Sequence, residues 1–205
     1  MFYKIIKNFF LKKNVTKRLL KEKNQLVQQK ITTVGLLVDE TYFSNTEGLV
    51  EQLISQGIEK DKITVLIYKD KIKSKELIAS PFLSLKNISF AGEIDKTEVL
   101  NFLDTPFDLL INYYDVNKYA LLLLSIKSKA NFKVGFDTVD KKVNHFIIKT
   151  LVDEYEMFTL ELFKYLKILN KRIPVTIRQG ERSNQLGTFF PIYSCISFGP
   201  PDSSR

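Results

Sequence analysis

A Rossmann-like, doubly wound α/β fold is what the sequence predicts, with a mostly parallel sheet of five or six strands and an N-terminal helical arm. Three observations lead there. Short apolar runs alternate with stretches of helical periodicity across residues 31–170. Residues 107–137, FDLLINYYDVNKYALLLLSIKSKANFKVGFD, read as strand, loop, helix and strand, the right-handed crossover that makes neighbouring strands parallel. The positive charge of the chain is confined to its first thirty residues, which sets an arm apart from a body.

The arm comes first, at residues 1–30. On a helix, Phe2, Ile5, Ile6, Phe9 and Phe10 share one side and Lys4 and Lys7 the other, with Lys12 and Lys13 continuing the basic face. This is the pattern of a helix that lies in a membrane interface. Asn14 interrupts it or caps a second helix, in which Leu19, Leu20, Leu26 and Val27 form the apolar stripe. The competing reading is that the arm folds back on its own sheet or pairs with a second copy.

The body spans residues 31–170. Its first strand is expected at 32–38 and should be central. A helix follows at 46–57, with Leu49, Val50, Leu53 and Ile54 inward and Gly57 as its C-cap. The unbroken run ITVLIY at 63–68 predicts a second strand buried on both faces. A short helix is expected at 71–79, ended by Pro81, and a third strand at 87–90. Asp95 is expected to cap a helix over 96–103. Then come a strand at 107–111, a helix at 118–129 facing inward through Tyr119, Leu122, Leu123 and Ile126, and a strand at 132–136. Residues 144–149 are a sixth strand or a loop. The last helix, 153–170, carries the stripe Tyr155, Phe158, Leu162, Tyr165, Leu166 and Leu169. The tail, 171–205, holds four of the six prolines and no clear period, and reads as irregular or disordered.

Composition narrows the function classes. A chain of 205 residues that is 44% hydrophobic makes one domain with a substantial core, filled here by 16 Phe and no Trp. The formal charge of +8 belongs to residues 1–30, where nine Lys and Arg meet one acid, so the remainder is neutral. Charge arguments about partners therefore apply to the arm alone. One cysteine, Cys195, excludes an intrachain disulfide and a cysteine metal cluster. No apolar run is long enough to span a bilayer and no signal peptide is evident, so the expected location is cytoplasmic, peripheral at the inner membrane face.

Two loops at strand carboxyl ends are the places for chemistry, because open parallel sheets bind ligands there. Asp39 and Asn45 bound the first, and Asn112, Asp115 and Asn117 lie in the second, with Asp137 as a possible third contributor. Such groups can do acid–base work or hold a metal, but they also cap helices and make turns, the commoner use. The first loop has no glycine-rich phosphate cradle, and Asp39 and Glu40 would repel phosphate. His145, the single histidine, sits beside an apolar run with no ligand-spaced partner and reads as structural. No catalytic residue, metal site or cofactor is expected.

The run FDLLINYYDVNKYALLLLSIKSKANFKVGF, with FTLELFKYLKILNK after it, resembles an uncharacterised family of Bacteroidetes proteins, a domain of unknown function. The resemblance covers roughly residues 1–170 and implies a bacterial lineage but no activity. Residues 107–136 are also similar to the end of the N-terminal half of heptosyltransferase-like GT-B glycosyltransferases, through the short strand 133–136. The sugar-nucleotide half of those enzymes has no counterpart here, so this likeness implies a fold relative without transferase activity.

The expected function is thus a non-enzymatic α/β domain attached to an anionic membrane surface by its arm. RNA or ribosome association, a partner protein and a homodimer are the other uses of the arm, and no DNA partner is expected. The remaining alternative is a small-molecule-binding or glycosyltransferase-like domain working through the strand-end crevice.

Overall fold

The computed structural model describes residues 31–71 and 80–168. The arm residues Phe2, Lys4, Ile5, Ile6, Lys7, Phe9, Phe10, Lys12 and Lys13, all but the first residue of the helix expected at 71–79, and the tail beyond 170 lie outside the described residues.

Six strands form one sheet, with all five pairings parallel: β1 (Val34–Asp39), β2 (Ile63–Tyr68), β3 (Phe82–Leu83), β4 (Leu109–Tyr113), β5 (Lys133–Phe136) and β6 (Phe146–Ile148). Their order across the sheet is β3-β2-β1-β4-β5-β6. This is the Rossmann order, and the direction of winding reverses between β1 and β4. Helices α1 (Thr46–Ser55), α2 (Thr97–Asp104), α3 (Tyr119–Lys127) and α4 (Tyr155–Ile168) cover the sheet. Alternation along β4 separates the two faces. Tyr113 meets Phe158 of α4, whereas Asn112 meets Ser125 of α3.

Local chemistry sets the boundaries. Helix α1 starts where the Asn45 side chain accepts the Gly48 N–H. It ends in a Schellman turn: Ile58 N–H donates to Leu53 O and Gly57 N–H to Ile54 O. Gly57 has φ 98°, the left-handed region that a Cβ disfavours. Helix α3 is apolar all round, and every residue from Ala120 to Ile126 is buried. The core is aromatic as well as aliphatic: Tyr68, Tyr113, Tyr114, Phe107, Phe132, Phe136, Phe158 and Phe163 are fully buried. Each such side chain contributes about 1.5–3 kcal/mol through the water it sheds.

At the amino ends of β1 and β4 a carboxylate ties the two central strands together. Asp108 Oδ2 accepts from the backbone N–H and the hydroxyl of both Thr32 and Thr33, at 2.6–3.1 Å. Burial alone would push its carboxyl up, but these bonds outweigh that and hold it below the ordinary carboxylate range.

Three expectations are corrected. The third strand is Phe82–Leu83, not 87–90: Ile67 N–H donates to Pro81 O and Lys69 N–H to Leu83 O, so edge pairing begins directly after the proline. Residues 85–87 instead form a 3-10 turn closed by a Ser84–Asn87 capping box, and Ile88 makes only an antiparallel bridge to Ile94. Asp95 is exposed and does not cap α2; Lys96 is the N-cap residue, with no side-chain cap. β2 is buried only in its second half, because β3 pairs with Ile67 and Tyr68 alone and leaves Thr64 exposed.

Candidate functional site

The carboxyl ends of β1 and β4, on either side of the reversal, are where this topology opens a crevice. Here the protein fills it with its own charges. β1 ends at Asp39, which is 3% exposed. Its Oδ1 accepts the Thr41 N–H at 3.0 Å, and its Oδ2 lies 2.6 Å from Nζ of Lys118, the residue that opens α3. The same ammonium is 3.5 Å from Asp70 Oδ1, just beyond β2. It sits 4.5 Å from the Tyr42 ring centroid and 5.1 Å from that of Tyr68. Two carboxylates and two aromatic faces thus enclose one cation. Tyr68 donates its hydroxyl to Asp70 at 3.0 Å, and burial, then the Asp70 charge, push that hydroxyl far above its usual range.

A second pair flanks the first. Glu40 accepts the Thr46 hydroxyl at 2.6 Å and pairs with Lys69 at 3.1 Å. Since Lys69 follows β2 and Thr46 opens α1, Glu40 binds three elements together. The free volume left beside Lys118 is about 200 Å³, lined by Tyr42, Tyr68, Asp70, Asn117 and Tyr119 among others. That is below the usual 300–1,000 Å³ of a small-molecule site.

Of the residues singled out in the sequence, Asp39 and Asn117 come to this crevice. Asn117 holds the loops together: its amide donates to Thr138 O at 3.2 Å, and its Oδ1 accepts the Asp140 N–H at 2.9 Å. Asp115 contributes its backbone carbonyl, which accepts the Thr138 hydroxyl at 2.7 Å. Asn45 is committed to capping α1. Asn112, 1% exposed, is turned into the body, where its amide donates to Asn144 Oδ1 at 2.7 Å and accepts the Ser125 hydroxyl at 2.6 Å. Asp137 lies half-buried after β5, its N–H on Ile148 O.

The tyrosines of the second loop point inward as well. Tyr113 packs on Phe43, Phe136 and Phe158 and donates to Val152 O at 2.6 Å. Tyr114 shares a 2.8 Å hydrogen bond with Ser125. His145 accepts the Lys133 N–H through Nδ1 at 2.8 Å and stacks on Phe132, a structural placement. Sequence reasoning missed Lys118 and Asp70. Asp70 stands just past β2, so strand-end position was an available signal there, whereas Lys118 opens α3 at the far end of the β4 loop. Among the described residues no group of three His, Cys, Asp or Glu is placed to hold a metal ion, and no helix is long and apolar enough to cross a membrane.

Strand order and crevice together define a Rossmann-like α/β domain whose switch point is closed by an internal ion pair. A family model described as a family of unknown function (DUF6913) matches residues 7–169, and the chain belongs to that family. No curated protein and no solved structure shows a significant match.

Proposed function

We infer that this chain is a non-enzymatic α/β domain that attaches to an anionic membrane surface through its basic segment 1–30. The observation that supports this most is the occupied switch point. The Lys118 ammonium, between Asp39 and Asp70, takes the position in which this topology would orient a substrate or cofactor. The net positive charge, meanwhile, resides entirely in residues 1–30, interleaved with Phe2, Ile5, Ile6, Phe9 and Phe10. Each lysine near an anionic surface adds about 1 kcal/mol of attraction. The cytoplasmic face of the inner membrane is the surface this reading names. The likeness to glycosyltransferase N-terminal halves enters it as kinship of fold, without transfer chemistry.

Cosedimentation with anionic liposomes tests the reading, comparing the full chain, a chain starting at Ile31 and the variant Phe9→Ala/Phe10→Ala. The full chain should pellet, and the other two should stay in the supernatant. Equal partitioning of all three would overturn it. Absence of pelleting, together with RNA binding that falls steeply with salt, would transfer the segment to RNA.

A further inference from the structure

A second cavity opens beside the closed switch point, at the carboxyl ends of β2 and β3. It measures about 480 Å³, within the range of small-molecule sites, and is lined by Asp70, Lys71, Phe82, Ser84, Lys86, Asn87 and Lys96. Three of these are lysines, and none forms an ion pair among the described residues. This contrasts with Lys69 and Lys118, each matched to a carboxylate.

Asp70, the acid of the cavity, is already engaged by the Tyr68 hydroxyl and by Lys118. Lys96 is held in place by neutral groups, with Nζ 3.5 Å from the Phe82 ring centroid and 3.2 Å from Phe82 O. Among the described residues no carboxylate pairs with it, and it lines the cavity. Lys86 stands on the 3-10 turn fixed by the Ser84–Asn87 capping box, so its backbone is rigidly placed.

Mutually repelling ammonium groups around one cavity are stabilised by an anion between them, and phosphate oxygens are well suited to accept from several lysines. We propose that the cavity between Lys71, Lys86 and Lys96 binds a small phosphate-bearing molecule. It goes beyond the membrane reading, since it uses the body and not residues 1–30. A soluble phosphate ester and a phospholipid headgroup share the required chemistry.

Calorimetric titration of the full chain with inorganic pyrophosphate, in the absence of lipid, tests the site. Saturable binding at one site per chain is expected. Lys86→Gln and Lys96→Gln should each weaken it about tenfold, as expected for loss of one charge-assisted hydrogen bond. The double variant should abolish it, while Lys12→Gln/Lys13→Gln in the arm leaves it unchanged. Lys86 is exposed, so its replacement tests charge without disturbing the fold. Absence of saturable binding, survival of binding in the double variant, or an equal loss with the arm variant would each overturn the proposal. Liposome pelleting of the double variant then separates the sources: retained pelleting marks a soluble ester, and lost pelleting a headgroup.

Discussion

Lys118 Nζ and Asp39 Oδ2 lie 2.6 Å apart at the end of the central strand, with 12% and 3% of their side chains exposed. Their contact joins the first residue after the β4 loop to the last residue of β1, across the line where the winding of the sheet reverses. A pair this buried loses much of its attraction to the desolvation penalty, so its net stabilisation is small while it stays whole. Breaking it is another matter. Lys118→Met leaves Asp39 buried and uncompensated, and should lower the unfolding free energy by about 3–5 kcal/mol in urea denaturation. Adding Asp39→Asn should recover a large part of the loss. A loss below about 1 kcal/mol in the single variant would mean that water already reaches the pair.

Stability at acid pH should depend on Asp108. Its folded-state carboxyl is held below the ordinary range by the Thr32 and Thr33 bonds. A depressed carboxylate stabilises fully above its unfolded-state pKa, and that stabilisation is lost as pH falls through the lower folded-state value. Asp108→Asn should therefore reduce stability at neutral pH and flatten the acid limb of the stability curve. Parallel acid limbs for the two proteins would refute the linkage.

Gly135 tests the buried network on β4. A Cβ there would stand 2.5 Å from Asn144 Nδ2. That amide group cannot swing away freely, because Asn144 Oδ1 accepts the Asn112 amide at 2.7 Å. Gly135→Ala should cost about 1–3 kcal/mol, the usual penalty of overpacking, read as a lower melting temperature. An unchanged melting temperature would show that the network can shift.

Titration of the tyrosines followed in the ultraviolet should reveal a late-ionising set. Burial holds the Tyr68, Tyr113 and Tyr114 hydroxyls far above their usual value, with the Asp70 charge adding to it at Tyr68 and Asp153 at Tyr113. At least these three of the nine tyrosines should stay protonated until the fold opens in alkali. Smooth ionisation of all nine near pH 10 would contradict the packing around them.

The legible part of this molecule was its periodicity. β2 at Ile63–Tyr68 and α1 starting at Thr46 coincide with the expected elements, since an unbroken run rich in β-branched residues and a helical stripe closed by Gly57 are purely local signals. The edge strand was missed because it is only Phe82–Leu83, too short to show alternation, and its pairing is announced by the carbonyl of Pro81. Asp39 and Asn117 were placed at the crevice by strand-end reasoning alone. That Asn112 faces α3 depends on strand register, and the engagement of Asp39 by Lys118 joins residues far apart in the chain. Neither is written in any local stretch.

The clamp between Asp108 and the Thr32–Thr33 pair has a kinetic consequence. It links groups 75 and 76 residues apart, along the same seam where β1 pairs with β4. On one side of that seam, β4, β5 and β6 assemble from chain that is close in sequence, and the same holds for β1 and β2 on the other. Bringing the halves together closes the longest loop in the sheet, which must be met before either central strand gains its second neighbour. Loss of the clamp should then slow folding more than it hastens unfolding, as stopped-flow measurements on Asp108→Ala would register. The line at which the strand order turns is also the line across which the most distant paired segments of the sheet meet.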